Sequence, residues 1–118
     1  MRPQLLIVDD EAVSAMALRD CALAMGYGTV DVVDGVGEAL ALLESGPPDL
    51  MMLDINLHGR KSYDVAARAV RLGVPFEFLS GYGRNYIPIQ YLKIEVLEKP
   101  YRMEAVREVL AGAVAVPR

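Results

Sequence analysis

Four short, mainly apolar runs in this chain each end in a charged or hydroxyl-bearing residue. The runs cover residues 5–8, 50–53, 76–79 and 96–98, and they lead into Asp9 and Asp10, Asp54, Ser80, and Lys99, respectively. Runs of this length are typical of strands that a sheet buries on both faces. In a parallel sheet the carboxyl ends of the strands share one edge, where open α/β sheets hold their ligands. We therefore expect these side chains to lie close together at one site.

Strand and helix patterns alternate along the whole sequence. The predicted strands cover 4–8, 29–33, 49–53, 76–79 and 94–97. The predicted helices cover 11–25, 35–45, a segment that begins near Ser62, and 101–113. Asp34 and Ser62 are expected to cap the helices that follow them. Gly81, Gly83 and Pro88 make residues 81–93 a poor candidate for a long helix. Alternating β and α elements predict an α/β fold of five βα units, with a parallel sheet covered on both faces and right-handed crossovers.

Length and composition predict one domain that folds around an ordinary hydrophobic core. The chain has 118 residues, of which 53% are hydrophobic and 24% charged, so disorder is not expected. We expect residues 1–118 to form a single domain with no output domain. A net charge of −4 argues against direct binding of nucleic acid. With one cysteine, no signal-like start and no long apolar stretch, the sequence predicts a cytoplasmic protein without a membrane partner.

The three aspartates predict a site for a divalent cation. Asp9, Asp10 and Asp54 repel one another at one sheet edge unless a cation lies between them, and Mg²⁺ takes carboxylate, water and phosphate oxygens. The alternative for the Asp9-Asp10 pair is a cap on the first helix. The alternative for Asp54 is an ordinary loop carboxylate.

Two further residues suit a phosphoryl group at the same edge. The ammonium of Lys99 can act as a point charge on a phosphoryl oxygen, and the hydroxyl of Ser80 can donate to one. The alternatives are a solvated lysine and a turn serine before Gly81. The single histidine, His58, is expected in an exposed loop near the site. The motifs GxxxxGK[ST] and GxGxxG are both absent, which argues against a nucleotide-binding loop.

Taken in order, these residues resemble the receiver domain of two-component response regulators. The resemblance covers essentially the whole chain, with Asp9-Asp10, Asp54, Ser80 and Lys99-Pro100 following the first, third, fourth and fifth strands. It implies a flavodoxin-like (βα)5 fold, a doubly wound five-stranded parallel sheet with strand order 2-1-3-4-5. Residues 75–83, Pro-Phe-Glu-Phe-Leu-Ser-Gly-Tyr-Gly, are similar to the PFxFATGY segment of the FATGUY receivers, which are mostly single-domain regulators.

The resemblance also implies a role for each matching residue. Asp54 is the implied phosphate acceptor, and Lys99 and Ser80 bind the phosphoryl group. Mg²⁺ is the implied cofactor, held by Asp10, Asp54 and the backbone carbonyl of Asn56, with Asp9 acting through water. The implied partners are a sensor histidine kinase or phosphotransfer protein and a downstream protein target, in two-component signalling or a phosphorelay.

Some residues depart from the family pattern, and others lie at positions that adjust the phosphorylation chemistry in the family. Family members usually have an aromatic residue three positions before the lysine, where this chain has Val96. The usual coupling of the hydroxyl to a rotating ring is therefore expected to differ. Asn56 and Tyr82 occupy positions that adjust the lifetime of the acyl phosphate in the family. Leu79-Ser80 replaces the subgroup's usual Ala-Thr, which keeps the hydroxyl and loses the methyl group that stiffens threonine.

Two other functions are alternatives to phosphoryl acceptance. A phosphatase of the haloacid-dehalogenase type needs Asp-x-Asp after the first strand, where this chain has Asp9-Asp10-Glu11. A pseudo-receiver that is never phosphorylated would serve only as an interaction module. As a phosphoryl acceptor, the protein is expected to promote its own phosphorylation and dephosphorylation. We do not expect it to be an enzyme that turns over an external substrate.

Overall fold

The computed structural model describes residues 2–82, 84 and 87–115. Within these residues, seven strands span β1 Gln4–Val8, β2 Thr29–Val33, β3 Leu50–Asp54, β4 Asn56–Leu57, β5 Arg60–Lys61, β6 Phe76–Ser80 and β7 Val96–Glu98. Four α-helices span α1 Ala12–Ala24, α2 Val36–Ser45, α3 Tyr63–Leu72 and α4 Met103–Ala115, and a 3₁₀ helix spans Ile89–Tyr91. The alternation of strands and helices predicted from the sequence is confirmed.

The five long strands form one parallel sheet in the order β2-β1-β3-β6-β7. Counted without the short hairpin β4–β5, this is the predicted order 2-1-3-4-5 of a flavodoxin-like fold. The hairpin forms a separate antiparallel pair in which Asn56 lies opposite Lys61. Because β4 follows β3 after a single residue, the hairpin lies at the carboxyl edge of the sheet.

The central strands β1 and β3 are buried on both faces of the sheet, which explains why their sequences are continuous apolar runs. One face packs Leu6, Met51 and Phe78 against α2 and α3. The opposite face packs Ile7 and Met52, with their neighbours, against α1 and α4. A polar residue at a strand's carboxyl end is therefore the first position along that strand that can face a ligand.

The connection between β6 and β7 differs from the other crossovers. Its regular structure among the described residues is the 3₁₀ helix, so four of the five predicted βα units contain an α-helix. Tyr91, in this 3₁₀ helix, is buried and packs its ring edge-on against Phe76 and Phe78, with centroid distances of 6.2 Å and 5.7 Å. Gly83, Asn85 and Tyr86, from the predicted irregular stretch, lie outside the described residues.

Candidate functional site

The ammonium of Lys99 is surrounded by three carboxylates at the carboxyl edge of the sheet. Its Nζ lies 2.6 Å from Glu11 Oε1, 2.8 Å from Asp54 Oδ2 and 3.2 Å from Asp9 Oδ1. These residues follow β1, end β3 and follow β7, so the sheet topology alone brings them together. The structure thus brings together the carboxyl ends of the first, third and fifth strands of the main sheet, as predicted.

Hydrogen bonds from neighbouring residues hold both the side chain and the backbone of Asp54. The N–H of Asn56 donates to Asp54 Oδ1 at 3.2 Å. The fully buried Ser62 hydroxyl donates to the backbone carbonyl of Asp54 at 2.5 Å, and the Ser62 N–H donates to the Ile55 carbonyl at 2.9 Å. Ser62 is the N-cap residue of α3, but its side chain makes no hydrogen bond that caps the helix. The N-cap position predicted for Ser62 is confirmed, but the expected side-chain capping bond is not made, because the hydroxyl donates to the Asp54 carbonyl instead.

The predicted capping role of Asp34 is wrong. The residue before α2 is Gly35, and no side-chain hydrogen bond caps that helix. The Asp34 carboxylate instead lies 3.4 Å from His58 Nε2, and this hydrogen bond lowers the pKa of Asp34 below its ordinary value. His58 is exposed in the turn of the β4–β5 hairpin, as predicted, with a φ of 51°.

Burial and the ion pairs act on Asp54 in opposite directions. Burial raises the pKa of Asp54 to about 6, and the hydrogen bond from Lys99 offsets part of that rise. Burial also disfavours the charged form of Lys99, but its hydrogen bonds to Asp54 and Glu11 outweigh this and raise the pKa of its ammonium well above the ordinary value. A phosphoryl acceptor has to be ionised to act as a nucleophile, so a cation close to Asp54 favours that form.

The acidic residues fit a hard cation. One carboxylate oxygen from each of Asp9, Asp10, Glu11 and Asp54 lies within 4.8 Å of the others. Asp9 is 2% exposed, and its Oδ2 is one of two buried side-chain atoms without a hydrogen-bond partner in the described part of the chain. A buried carboxylate oxygen without a partner is rare in proteins and is satisfied by a bound cation or its water. Asp10, which is more exposed, accepts the N–H of His58 at 2.9 Å.

The Asp9-Asp10 pair does not cap α1, which was the alternative to a cation site. The residue that precedes α1 is Glu11, and no side chain caps that helix. Asp9 Oδ1 accepts the backbone N–H of Glu11 at 2.9 Å, which fixes the turn between β1 and α1. This turn directs Asp9 and Glu11 toward Lys99.

Ser80 is the last residue of β6 and lies beside the cleft. Its hydroxyl points toward the backbone that follows the strand. Its Oγ accepts the N–H of Tyr82 at 2.9 Å, and its carbonyl accepts the N–H of Lys99 at 2.8 Å. The residue is 2% exposed. The peptide bond between Lys99 and Pro100 is cis. Val96, on β7, lies beside Phe78 on β6 and packs against the core between the sheet and helices α2 and α3.

An open cleft of about 750 Å³ lies above these groups. It is lined by Asp10, Asp54, Asn56, Tyr82 and Lys99, which the sequence analysis linked to the site, and by Glu11, Gly59, Lys61 and Gly81, to which it gave no role there. Glu11 could have been found from its position directly after the aspartate pair. No sequence signal placed Lys61 at the site, because its position depends on the fold of the hairpin.

The fold and this site together define a receiver domain. The chain belongs to the family described as the response regulator receiver domain, whose model matches residues 5–111. Among solved structures, the solution structure of SdrG from Sphingomonas melonis Fr1 is 37% identical, with a TM-score of 0.82 over 98% of both chains. The BeF3-activated conformation of SdrG from Pseudomonas melonis Fr1 is 38% identical, with a TM-score of 0.79 over 96% of both chains.

More distant relatives and longer proteins share the domain. The receiver domain of PhyR from Erythrobacter litoralis has the same fold at 21% identity, with a TM-score of 0.82 over 99% of this chain and 95% of that one. The DNA-binding response regulator MtrA from Mycolicibacterium paratuberculosis is 37% identical over 82 residues, which are 68% of this chain and 36% of MtrA. This chain therefore spans about a third of the length of that curated relative. No described helix is long and apolar enough to cross a membrane.

Proposed function

We propose that this receiver domain accepts a phosphoryl group on Asp54 from the phosphohistidine of a sensor histidine kinase or phosphotransfer protein. One observation carries the proposal. The buried carboxylate of Asp54 lies 2.8 Å from an ammonium, beside an acidic cluster that contains a buried carboxylate oxygen without a partner. This arrangement provides a nucleophile, a fixed positive charge and a place for a divalent cation within one cleft.

In the proposed transfer, a carboxylate oxygen of Asp54 attacks the phosphorus in line with the leaving imidazole. A P–O bond forms as the P–N bond breaks, and the imidazole nitrogen keeps the electron pair. Lys99 neutralises charge on the transferred oxygens, and Ser80 exchanges its bond with the Tyr82 N–H for one in which its hydroxyl donates to a phosphoryl oxygen. We assign the metal ligands as Asp10, Asp54 and the backbone carbonyl of Asn56, with Asp9 acting through water. Bound Mg²⁺ would supply further charge neutralisation at the phosphoryl oxygens.

The acyl phosphate carries about 1.5 to 2 negative charges next to Lys99, where the free Asp54 carboxylate carries one. We propose that this charge biases the surface formed by β6, β7 and α4, and that the output is a contact with a downstream protein or a further phosphoryl transfer. In this proposal the domain works in the cytoplasm, without direct contact to nucleic acid or membrane and without turnover of an external substrate. The BeF3-activated state of the related SdrG supports an activation of this type, since beryllofluoride mimics a phosphoryl group. The FATGUY subgroup stays a prediction.

Labelling with acetyl phosphate and Mg²⁺ tests the phosphate acceptor. We expect wild-type protein to gain one phosphoryl group by intact-mass spectrometry, and Asp54→Asn to gain none. Asp31→Asn, which changes an exposed aspartate on β2, serves as the matched control and should label like wild type. Chelation with EDTA should stop the labelling. Unlabelled wild-type protein would favour the pseudo-receiver, and labelling of Asp54→Asn would place the acceptor elsewhere.

A further inference from the structure

We propose that Lys61 is a second cationic contact for the phosphoryl group and approaches it from the side of Asp54 opposite Lys99. This inference rests on the proposed function of Asp54 and adds a residue to it. Lys61 lines the same cleft as Asp54 and Lys99. It is brought there by the β4–β5 hairpin, seven residues beyond the acceptor in sequence.

Hydrogen bonds connect Lys61 to Asp54 through a single residue. The Nζ of Lys61 donates to the side-chain oxygen of Asn56 at 2.7 Å, and the backbone N–H of Asn56 donates to Asp54 Oδ1 at 3.2 Å. The other carboxylate oxygen, Oδ2, accepts from Lys99. The two oxygens of the acceptor therefore face different neighbours: Asn56, which holds Lys61, lies at Oδ1, and Lys99 lies at Oδ2.

The carboxylates around Lys99 limit how well it can bind a phosphoryl group, so a second cation in the cleft would strengthen that binding. A lysine ammonium has three N–H donors, and three carboxylates already surround that of Lys99. Phosphorylation replaces the single negative charge of Asp54 with an acyl phosphate that carries about 1.5 to 2 negative charges, so the net negative charge beside Lys99 rises by about one, and Lys99 contacts a phosphoryl oxygen by exchanging one of its carboxylate partners. Lys61 can give up its bond to the amide oxygen of Asn56 for a bond to an anionic oxygen, which is the stronger of the two.

The hairpin also contains a matched control beside Lys61. Consecutive residues of a strand point to opposite faces, and Arg60 pairs with Asp64 at 3.1 Å instead of lining the cleft. Loss of either cation changes the charge of the hairpin by the same amount. Only Lys61 lies where it can contact the phosphoryl group directly, so the two variants separate direct contact from long-range attraction.

The test measures beryllofluoride binding at saturating Mg²⁺ in wild type, Lys61→Met, Lys61→Arg and Arg60→Met. We expect Lys61→Met to weaken binding about tenfold, the size of one charge-assisted hydrogen bond. Lys61→Arg should restore most of the affinity, and Arg60→Met should stay within about twofold of wild type, as expected for an exposed charge. The affinity for Mg²⁺ alone should not fall in Lys61→Met, because the lysine repels the cation.

Three results would overturn the role of Lys61. The first is equal binding by Lys61→Met and Arg60→Met, and the second is failure of arginine to restore affinity. The third is a parallel loss of Mg²⁺ and beryllofluoride affinity, which would mean that the hairpin had moved. If wild type binds beryllofluoride and Asp54→Asn does not, these results leave the acceptor in place and remove only Lys61. Absence of binding by wild type would overturn both proposals.

Discussion

The ammonium of Lys99 lies closer to Glu11, at 2.6 Å, than to Asp54, at 2.8 Å. Glu11 is largely exposed, whereas the side chain of Asp54 is 9% exposed. A surface carboxylate therefore occupies a donor of the lysine that we assign to the phosphoryl group. In this state Glu11 competes with an anionic ligand for Lys99, and we expect Glu11, the most exposed of the three carboxylates, to be displaced when such a ligand binds.

Glu11→Gln is expected to strengthen beryllofluoride binding and to speed labelling by acetyl phosphate by about threefold. The substitution removes a negative charge that competes with the incoming anion while keeping a side chain of the same shape, and the gain is limited because the pair is exposed. Nuclear magnetic resonance titration at saturating Mg²⁺ measures the binding, and a separate Mg²⁺ titration shows whether the cation site is changed. Glu44→Gln, which removes a carboxylate paired with Arg68 and Arg71 on helices away from the cleft, should have no effect. Weaker anion binding in Glu11→Gln would mean that Glu11 helps to hold the cation.

The sequence was sufficient to predict the strand ends because strand burial and polar termination are local patterns. Asp9, Asp54 and Lys99 follow directly from that logic. Lys61 and the hydroxyl of Ser62 could not be predicted, because their contacts depend on how the chain turns back after β3. The start of β7 was predicted two residues early, at Ile94, from its alternating pattern. In the fold the N–H of Ile94 donates to the Tyr91 carbonyl at 3.0 Å, so the preceding turn uses that residue before the strand begins.

Ser62→Ala is expected to lower the free energy of unfolding by about 1 to 3 kcal/mol, because the buried hydroxyl is the donor that holds the Asp54 carbonyl. Urea unfolding followed by circular dichroism measures the loss. Ser45→Ala removes an exposed hydroxyl that lies 3.4 Å from the Leu42 carbonyl and should change stability by less than about 0.5 kcal/mol. Equal effects of the two substitutions would show that the contact with Asp54 contributes nothing to stability.

The same Tyr→Phe substitution is expected to have different effects on stability at two positions. The hydroxyl of Tyr27 donates to the Leu110 carbonyl at 2.7 Å in a buried contact, so Tyr27→Phe should destabilise the fold by about 1 to 3 kcal/mol. The hydroxyl of Tyr101 is buried without a hydrogen-bond partner among the described residues, and burial raises the pKa of this tyrosine. Removing a buried polar group that has no partner relieves its desolvation, so Tyr101→Phe should be neutral or stabilising.

Both tyrosine variants are best compared by urea unfolding at pH 7, where the phenols are neutral. A destabilised Tyr101→Phe variant would show that its hydroxyl has a partner in solution, such as an ordered water. An unchanged Tyr27→Phe variant would show that the link between α4 and the end of α1 is not needed for stability.

Glu77 is expected to make the fold less stable as the pH rises through the weakly acidic range. Burial, together with the neighbouring Glu95 carboxylate, raises the pKa of Glu77 from 4.5 to about 7. Below about pH 4.5 the group is protonated in the folded and unfolded states alike. Between pH 4.5 and pH 7 the unfolded chain releases its proton while the folded protein keeps it, so the free energy of unfolding falls. Above pH 7 the loss is complete and stays constant.

Glu77→Gln should remove this part of the pH dependence. Relative to the variant, wild type is expected to lose about 1 to 2 kcal/mol between pH 4.5 and pH 8, a range that allows for solvent screening of a partly exposed group. Urea unfolding across this range measures the difference between the two proteins, and other groups that titrate in both, such as Asp54, cancel in that difference. Glu95→Gln should keep most of the slope because burial is the larger cause, and Glu108→Gln, which changes an exposed residue of α4, should follow wild type. Parallel curves for wild type and Glu77→Gln would show that this carboxyl is ionised in the folded protein at an ordinary pH.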